Sequence, residues 1–336
     1  MEPEAKIRAF AQLGRHLRHL PAGEREHLAR QAANTNPWFD EKNVALALDG
    51  IAAMLEEDGL REWLSRYNLQ ERKPKKVGVV MAGNIPMVGF HDLLCVLLSG
   101  HHLYAKLSSE DPVLIKYLAR QLLFIEPAFE DQIHFVEMLK EADAFIATGS
   151  DNTSRYFAYY FAQKPHIIRR NRTSVGILNG QETQEELRSL GQDILQYYGL
   201  GCRNVSKVFV PENFSFVPFF EAIEEMHGVN DHHKYRNNYD YNRSILLVNG
   251  VPHLDNGFLS VTPSQELVSP ISVLFYDAYT DQQDLETKLG AYPEKIQAVV
   301  SSGGWYPGSH SFGQAQCPAV TEYADGVDTM AFLLGL

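Results

Sequence analysis

The sequence predicts an α/β protein built on parallel sheets with helices on their faces, and three observations lead there. Short, almost wholly apolar runs such as Lys76–Ala82 (KVGVVMA) have the continuous hydrophobicity of strands buried on both faces. From that run onward, segments of strand length alternate with segments of helix length, as a parallel sheet with crossover helices requires. Before it, residues 1–70 space their apolar residues by three and four, which predicts helices.

Taken in order, EREHLARQAANTNPWF and EKNVALALDGIAAMLEEDGLREWLSRY read as helical, with a break at Asn36–Phe39 before a helix that starts near Asp40. After the first strand, GNIP leads to an apolar helix over Met87–Leu98. HHLYAKL (His101–Leu107) is a second strand. DPVLIKYLARQLLF (Asp111–Phe124) is a helix with Asp111 as N-cap and Pro112 in its first turn. DQIHFVE and ADAFIATG (Ala142–Gly149) read as the third and fourth strands, Ser150–Phe161 as a further helix, and HIIRR and TSVGILN as strands. Thr183-x-x-Glu186 fits a capping box at the start of a helix that runs to about Tyr198. Beyond the Gly-rich turn GLGCRN, the expected strands are SKVFVP, SILLVN, ISVLFY and KIQAVVSS. The expected helices are VPFFEAIEEMHG and DQQDLETKLG, and GVNDHHKYRNNYDYNRS reads as a polar, aromatic loop.

Composition excludes some functions. Of 336 residues, 45% are apolar and 21% charged, as in a globular protein with a sizeable core. The net charge of −12 argues against nucleic acid as a partner, because phosphate binding needs clustered Lys and Arg. Three cysteines, far apart and with no CxxC pair, predict neither a disulfide framework nor a zinc site. No secretory signal and no spanning segment is recognised, so the expected location is cytoplasmic.

Neither GxGxxG nor GxxxxGK[ST] occurs, so an ordinary dinucleotide fingerprint and a P-loop are both missing. The most informative residue is Cys202, in Gly199-Leu200-Gly201-Cys202-Arg203-Asn204, between a helix end and a strand. Glycines let the backbone approach a ligand, and Arg203 favours the reactive thiolate. The alternative is a structural cysteine, since buried cysteines are common. Cys95, in an apolar helix, reads as core, and Cys317 precedes Pro318 in a loop. His232 and His233 point apart if they lie on a strand and have no evident third ligand, so no metal site is expected. His91 reads as a helix residue bonded to a neighbour.

Six segments in order then show a resemblance: MAGNIPMVGF, YAKLSSEDP, FIATGS, GLGCRN, SQELVSPISVLFY and HSFGQAQ. Each is degenerate alone, but their series over residues 76–333 resembles the aldehyde dehydrogenase superfamily. Within it, VGVVMAGNIPMVGFHDLLCVLLSGH, PHIIRRNRTSVGILNG, YYGLGCRNVSKVFVP and FGQAQCPAVTEYADGVDTMAFL are similar to the acyl-CoA reductases related to the bacterial luminescence fatty acid reductase subunit.

The resemblance implies an aldehyde-dehydrogenase-like fold with a Rossmann-like cofactor domain and a smaller α/β catalytic domain. It implies a helical segment over 1–70 packed on a cofactor domain at 71–198, a catalytic domain at 199–320 and a C-terminal strand segment at 321–336. Cys202 would be the nucleophile, and Asn84 would complete the oxyanion hole with the Cys202 N–H. Lys106 would bind the adenosine ribose, Gly149 and Ser150 the cofactor phosphates, and Glu266 the nicotinamide-side ribose. Ser108 and Ser109 favour NADPH over NAD, although Glu110 beside them would repel a 2′-phosphate.

Aldehyde-oxidising members carry a water-activating glutamate before the cysteine, where this chain reads RRNRTSVGI, without an acid. Hydrolysis of an acyl-enzyme needs such a base, whereas reduction does not. The resulting expectation is NADPH-dependent reduction of a fatty acyl-CoA to the aldehyde through a Cys202 thioester. A cysteine-dependent acyltransferase or thioesterase, an acyl-phosphate (semialdehyde) reductase and a non-catalytic binding protein remain as alternatives. An acyl-activating partner enzyme is a candidate partner. The superfamily's oligomerisation hairpin is not recognised where Arg72-Lys73-Pro74 leads into the first strand, so a homo-oligomer stays open.

Overall fold

The structure, a computed structural model, describes residues 1–69 and 73–336. The expected boundary between residues 70 and 71, and Arg72 of the link to the first strand, lie outside the described residues. The chain forms two compact units, Met1–Asn171 with Pro318–Leu336, and Arg172–Cys317.

The first unit opens with four helices, α1 (Pro3–Arg18), α2 (Ala22–Thr35), α3 (Glu41–Met54) and α4 (Glu57–Leu64). The α/β part follows as β1 (Lys76–Val80), α5 (Phe90–Leu98), β2 (His102–Lys106), α6 (Pro112–Ile125), β3 (Ile133–Phe135), β4 (Ala144–Thr148), α7 (Asp151–Phe161) and β5 (His166–Arg169). Caps set several of these starts. Asp40 accepts from Asn43 N ahead of α3, and Asp111 accepts from Leu114 N ahead of α6, where Pro112 sits in the first turn. The helical N-terminal segment packs on the α/β part of this unit. Phe10 of α1 meets the Phe129 ring edge-on at 5.7 Å, and the buried Lys6 ammonium donates to Leu97 O at the end of α5.

Among the described residues this unit holds one five-stranded sheet, order β3-β2-β1-β4-β5, with parallel pairings. The strand order reverses between β1 and β4. In open parallel sheets, ligands bind outside the carboxyl ends of the strands at such a switch point.

The second unit contains β6 (Thr173–Ile177), α8 (Gln184–Leu195), β7 (Val205–Pro211), α9 (Val217–Ala222), α10 (His233–Val248), β8 (Leu254–Asp255), β9 (Ser260–Pro263), β10 (Val273–Tyr279), α11 (Gln282–Gly290), β11 (Ile296–Ser301) and β12 (His310–Ser311). Its sheet runs β12-β11-β6-β7-β10-β9-β8, parallel except for β8 against β9. The capping box at α8 forms in full, with Thr183 and Glu186 bonding each other's backbone N–H. The chain then returns to the first unit and ends in α12 (Thr329–Leu334).

Several expectations are corrected. The boundary placed at 198/199 falls at 171/172, because β6 pairs with β7 and β11 and brings α8 into the second unit. The second boundary lies at 317/318, and the C-terminal segment is helical and not a strand. Asp328 caps it by accepting from Ala331 N, and Met330 and Leu333, three apart, are buried. From His233 onward the polar, aromatic loop joins the strand SILLVN in α10, which buries Tyr235 and Tyr239, one turn apart, and leaves Leu247 and Val248 exposed. His232 and His233 start that helix, the first as its N-cap, with rings stacked at 5.3 Å instead of pointing apart.

Candidate functional site

The first unit gathers its predicted residues at the carboxyl edge of one sheet. Val80, the last residue of β1, is level with Lys106 at the end of β2 and with Ala147 near the end of β4. The loop carrying Asn84 leaves β1 at that edge, and Lys106, Ser108 and Ser109 leave β2 beside it. Gly83 must be glycine here: a Cβ would lie 2.7 Å from Ser108 Oγ and 3.0 Å from Glu110 Cβ. Asn84, Lys106, Ser109 and Glu110 are exposed. Ser108 Oγ accepts from Glu110 N and so ties its own turn. Across the switch point, Gly149 follows β4 and Ser150 caps α7, its Oγ accepting from Thr153 N. An N-terminus with open backbone donors and a favourable dipole suits phosphate. Gly83 where the two loops meet, Lys106 on one flank and the capped start of α7 on the other are the groups that could hold a nicotinamide cofactor.

The Asn84 loop is held from behind. Met87 adopts φ 58°, and its N–H donates to Asp111 Oδ2 at 2.6 Å while Oδ1 of the same carboxylate caps α6. The sequence marks Asp111 as a cap; its second oxygen's role is a tertiary contact with no local signature. Burial pushes the Asp111 carboxyl up to about 6.

In the second unit, Cys202 lies half-buried on the turn between α8 and β7. Ahead of it, Tyr197, Tyr198 and Gly199 adopt φ of 51°, 57° and 77° in succession. A left-handed conformation disfavours an ordinary side chain by about 1–2 kcal/mol per residue, so the surroundings must hold this turn. Asn204, 2% exposed, does much of that. Its Oδ1 accepts from Gly201 N at 2.8 Å, and its Nδ2 donates to Asp193 O and Gln196 O. Ser174 Oγ on β6 donates to Cys202 O at 3.2 Å. The backbone around Cys202 is therefore fixed on both sides. Glu266 is exposed on the turn after β9, its N–H donating to Ser264 Oγ.

A family model described as acyl-CoA reductase (LuxC) matches residues 15–217, a span that includes the Asn84 loop, the β2 and β4 edges and the Cys202 turn. The chain belongs to that family. It is accordingly an oxidoreductase, and its general activity is acyl reduction to an aldehyde. The solved structures similar to this reductase include aldehyde dehydrogenases. A Bacillus cereus aldehyde dehydrogenase in complex with NAD+ superposes with TM-score 0.64 at 14% identity, covering 90% of this chain and 72% of that one. An NADP-dependent enzyme of E. coli gives 0.65 at 13% identity, with 89% and 72% covered. Betaine aldehyde dehydrogenase of Staphylococcus aureus gives 0.64 at 13%, with 94% and 74% covered. These likenesses establish an aldehyde-dehydrogenase-like fold. A comparison with curated proteins gives no match.

The other cysteines of the reductase sit in different surroundings. Cys95 is buried in α5, 3.8 Å from His91 Nδ1, and burial holds its thiol far above the ordinary range. His91 also bonds Val320 O. Among the described residues no group of three His, Cys, Asp or Glu is placed to hold a metal, and no helix is long and apolar enough to cross a membrane.

Asp193, near the end of α8, is a site residue the sequence did not disclose. Its carboxylate accepts from Gly313 N at 2.6 Å and Ala315 N at 3.0 Å, and Arg203 donates to Ala315 O. This holds the Phe312–Ala315 segment against the helix that leads to Cys202. Burial outweighs those two bonds and pushes the Asp193 carboxyl up to about 6. An unfolded aspartate titrates near ~3.9, so the folded state binds the extra proton between about 4 and 6. Stability from this group is therefore greatest below that window, falls as pH rises through it, and stays reduced above it. Asp193→Asn should remove this dependence, leaving that of Asp111. The stability difference between wild type and variant should change by about 2 kcal/mol between pH 4.5 and 7 in urea titrations. A difference that stays constant across that range excludes the assignment.

Proposed function

We propose that this enzyme reduces a fatty acyl-CoA to the aldehyde, using NADPH, through a thioester on Cys202. The observation that carries the reading is the half-buried Cys202 on a turn fixed by Asn204 and Ser174, inside the span that matches the acyl-CoA reductase family. A nucleophile is most effective when its approach is set in advance.

In this reading the Cys202 thiolate attacks the thioester carbonyl, the C–S bond to CoA breaks, and CoA leaves as a thiolate. Asn84 and the Cys202 N–H donate to the oxyanion, each worth about 10²–10³-fold in rate. When bound, NADPH supplies the hydride that converts the acyl-enzyme to a thiohemiacetal. Collapse of that thiohemiacetal returns the thiolate to Cys202 and releases the aldehyde, the carbonyl re-forming as the C–S bond breaks. Lys106 holds the adenosine ribose, Gly149 and Ser150 the phosphates, and Glu266 the nicotinamide-side ribose. Ser108 and Ser109 are the donors for a 2′-phosphate, and Glu110 limits the preference over NAD. The stretch Arg169–Ile177 offers no carboxylate to activate water, which supports reduction over hydrolysis.

The test is NADPH oxidation at 340 nm with acyl-CoAs of graded chain length, with aldehyde identified as product. Consumption with aldehyde formation supports the reading, and a larger rate with NADH reverses the cofactor preference. Acyl retained on Cys202 without NADPH consumption points to an acyltransferase. Turnover of acyl phosphates alone assigns the semialdehyde-reductase chemistry.

A further inference from the structure

We infer that Lys207 is a positioning residue for Glu266, an inference that rests on the reading of Glu266 as the nicotinamide-side ribose ligand. Lys207 lies on β7 with its side chain 0% exposed. It shares the sheet face that buries Val175, Ile177, Phe209 and Leu267, where a methionine would pack without the cost of burying a charge. Its three donor directions are all answered. The ammonium donates to Ser264 O at 2.9 Å and to the Tyr292 hydroxyl at 3.1 Å, and faces Asp277 Oδ2 at 3.6 Å. Lys288 neutralises the other oxygen of Asp277 at 2.8 Å.

The carbonyl that Lys207 grips belongs to the turn bearing Glu266, and the grip is part of a set. Tyr292, which accepts from Lys207, donates its hydroxyl to Gln265 O. Ser206, next to Lys207 on β7, donates to Leu267 O at 2.9 Å. The carbonyls of residues 264, 265 and 267 are therefore each held from below, and Glu266 N is held by Ser264 Oγ. The Glu266 side chain lies exposed on this turn, as does Gln265. An exposed acid on a turn fixed at every neighbouring carbonyl is prepared for a hydroxyl-bearing ligand, and groups that form such a bond best are those held before the ligand arrives. Lys207 supplies the charged, central part of that hold.

The test is a double-mutant cycle on the full chain with Lys207→Met, Glu266→Gln and the pair, reading NADPH affinity by fluorescence titration. Lys207→Met should weaken NADPH binding about tenfold in the wild-type background and less than about twofold beside Glu266→Gln, because residues acting through one contact are not additive. Acyl transfer from acyl-CoA to Cys202 should be unchanged. Amide hydrogen exchange over residues 264–267 of the ligand-free protein should speed up in Lys207→Met. Should that variant fold poorly, Tyr292→Phe removes the relay to Gln265 O and should give the same pattern at smaller size. Equal loss from Lys207→Met in both backgrounds, or unchanged exchange, overturns the inference while leaving the Glu266 role intact. Normal NADPH affinity in Glu266→Gln overturns the Glu266 role, and the inference with it.

Discussion

Cys202→Ala is expected to lower aldehyde formation by about 10⁴-fold or more, because under the proposed thioester mechanism it removes the covalent nucleophile and leaves only binding and oxyanion stabilisation. The fold should survive. The contacts that shape the turn run through the Cys202 carbonyl, the Gly201 N–H and the Asn204 carboxamide, none of which the substitution touches. Circular dichroism and the thermal midpoint should therefore match wild type, and labelled acyl groups should no longer be retained. Cys95→Ala and Cys317→Ala serve as controls. Burial holds the Cys95 thiol protonated, and partial burial with the Asp193 carboxylate nearby raises Cys317. Both variants should keep the covalent step. Retention of label by Cys202→Ala, or its loss in Cys317→Ala, would reassign the nucleophile.

Asp92→Asn is expected to destabilise the first unit by about 3–5 kcal/mol, a large part of the ~5–15 kcal/mol that holds a domain together. Arg169, at the end of β5, reaches both oxygens of Asp92 on α5 at 2.8 and 2.6 Å, with both side chains 7% exposed or less. Its other terminal nitrogen donates to Thr329 Oγ1 at the start of α12, so the pair joins a strand, a helix and the C-terminal helix. Removing the carboxylate leaves a guanidinium buried without its counter-charge. Asp92→Leu with Arg169→Met should recover most of the loss, since an apolar pair avoids that desolvation. Urea unfolding of the single and double variants measures both terms. A loss below about 1 kcal/mol in Asp92→Asn would show that the site opens to water instead of staying dry.

The strands of the first sheet, the caps at Asp111 and Thr183, and the Cys202 turn were all readable locally. Each is specified by residues within a few positions of one another: a continuous apolar run, or a cap and its partner three residues on. The order of six short segments also pointed to the superfamily. The misreadings share one cause. In α10 the apolar run at the end is exposed and the buried face consists of two tyrosines one turn apart, so hydrophobic pattern misleads. The C-terminal helix is specified by Asp328 and by what Met330 and Leu333 meet at a distance.

Sequence alone therefore determined that parallel sheets form, that Cys202 stands between a helix end and a strand, and that the stretch Arg169–Ile177 carries no carboxylate. These follow from residue type and local spacing, which act over one or two turns of chain. Only the tertiary structure decided where the units divide, that Asp111 restrains the Asn84 loop, that Asp193 and Asn204 hold the Cys202 turn, and that Lys207 lies beneath Glu266. Those contacts are polar bonds between residues as far as 122 positions apart. A buried donor must find an acceptor somewhere, but which one it finds is set by packing and not by periodicity.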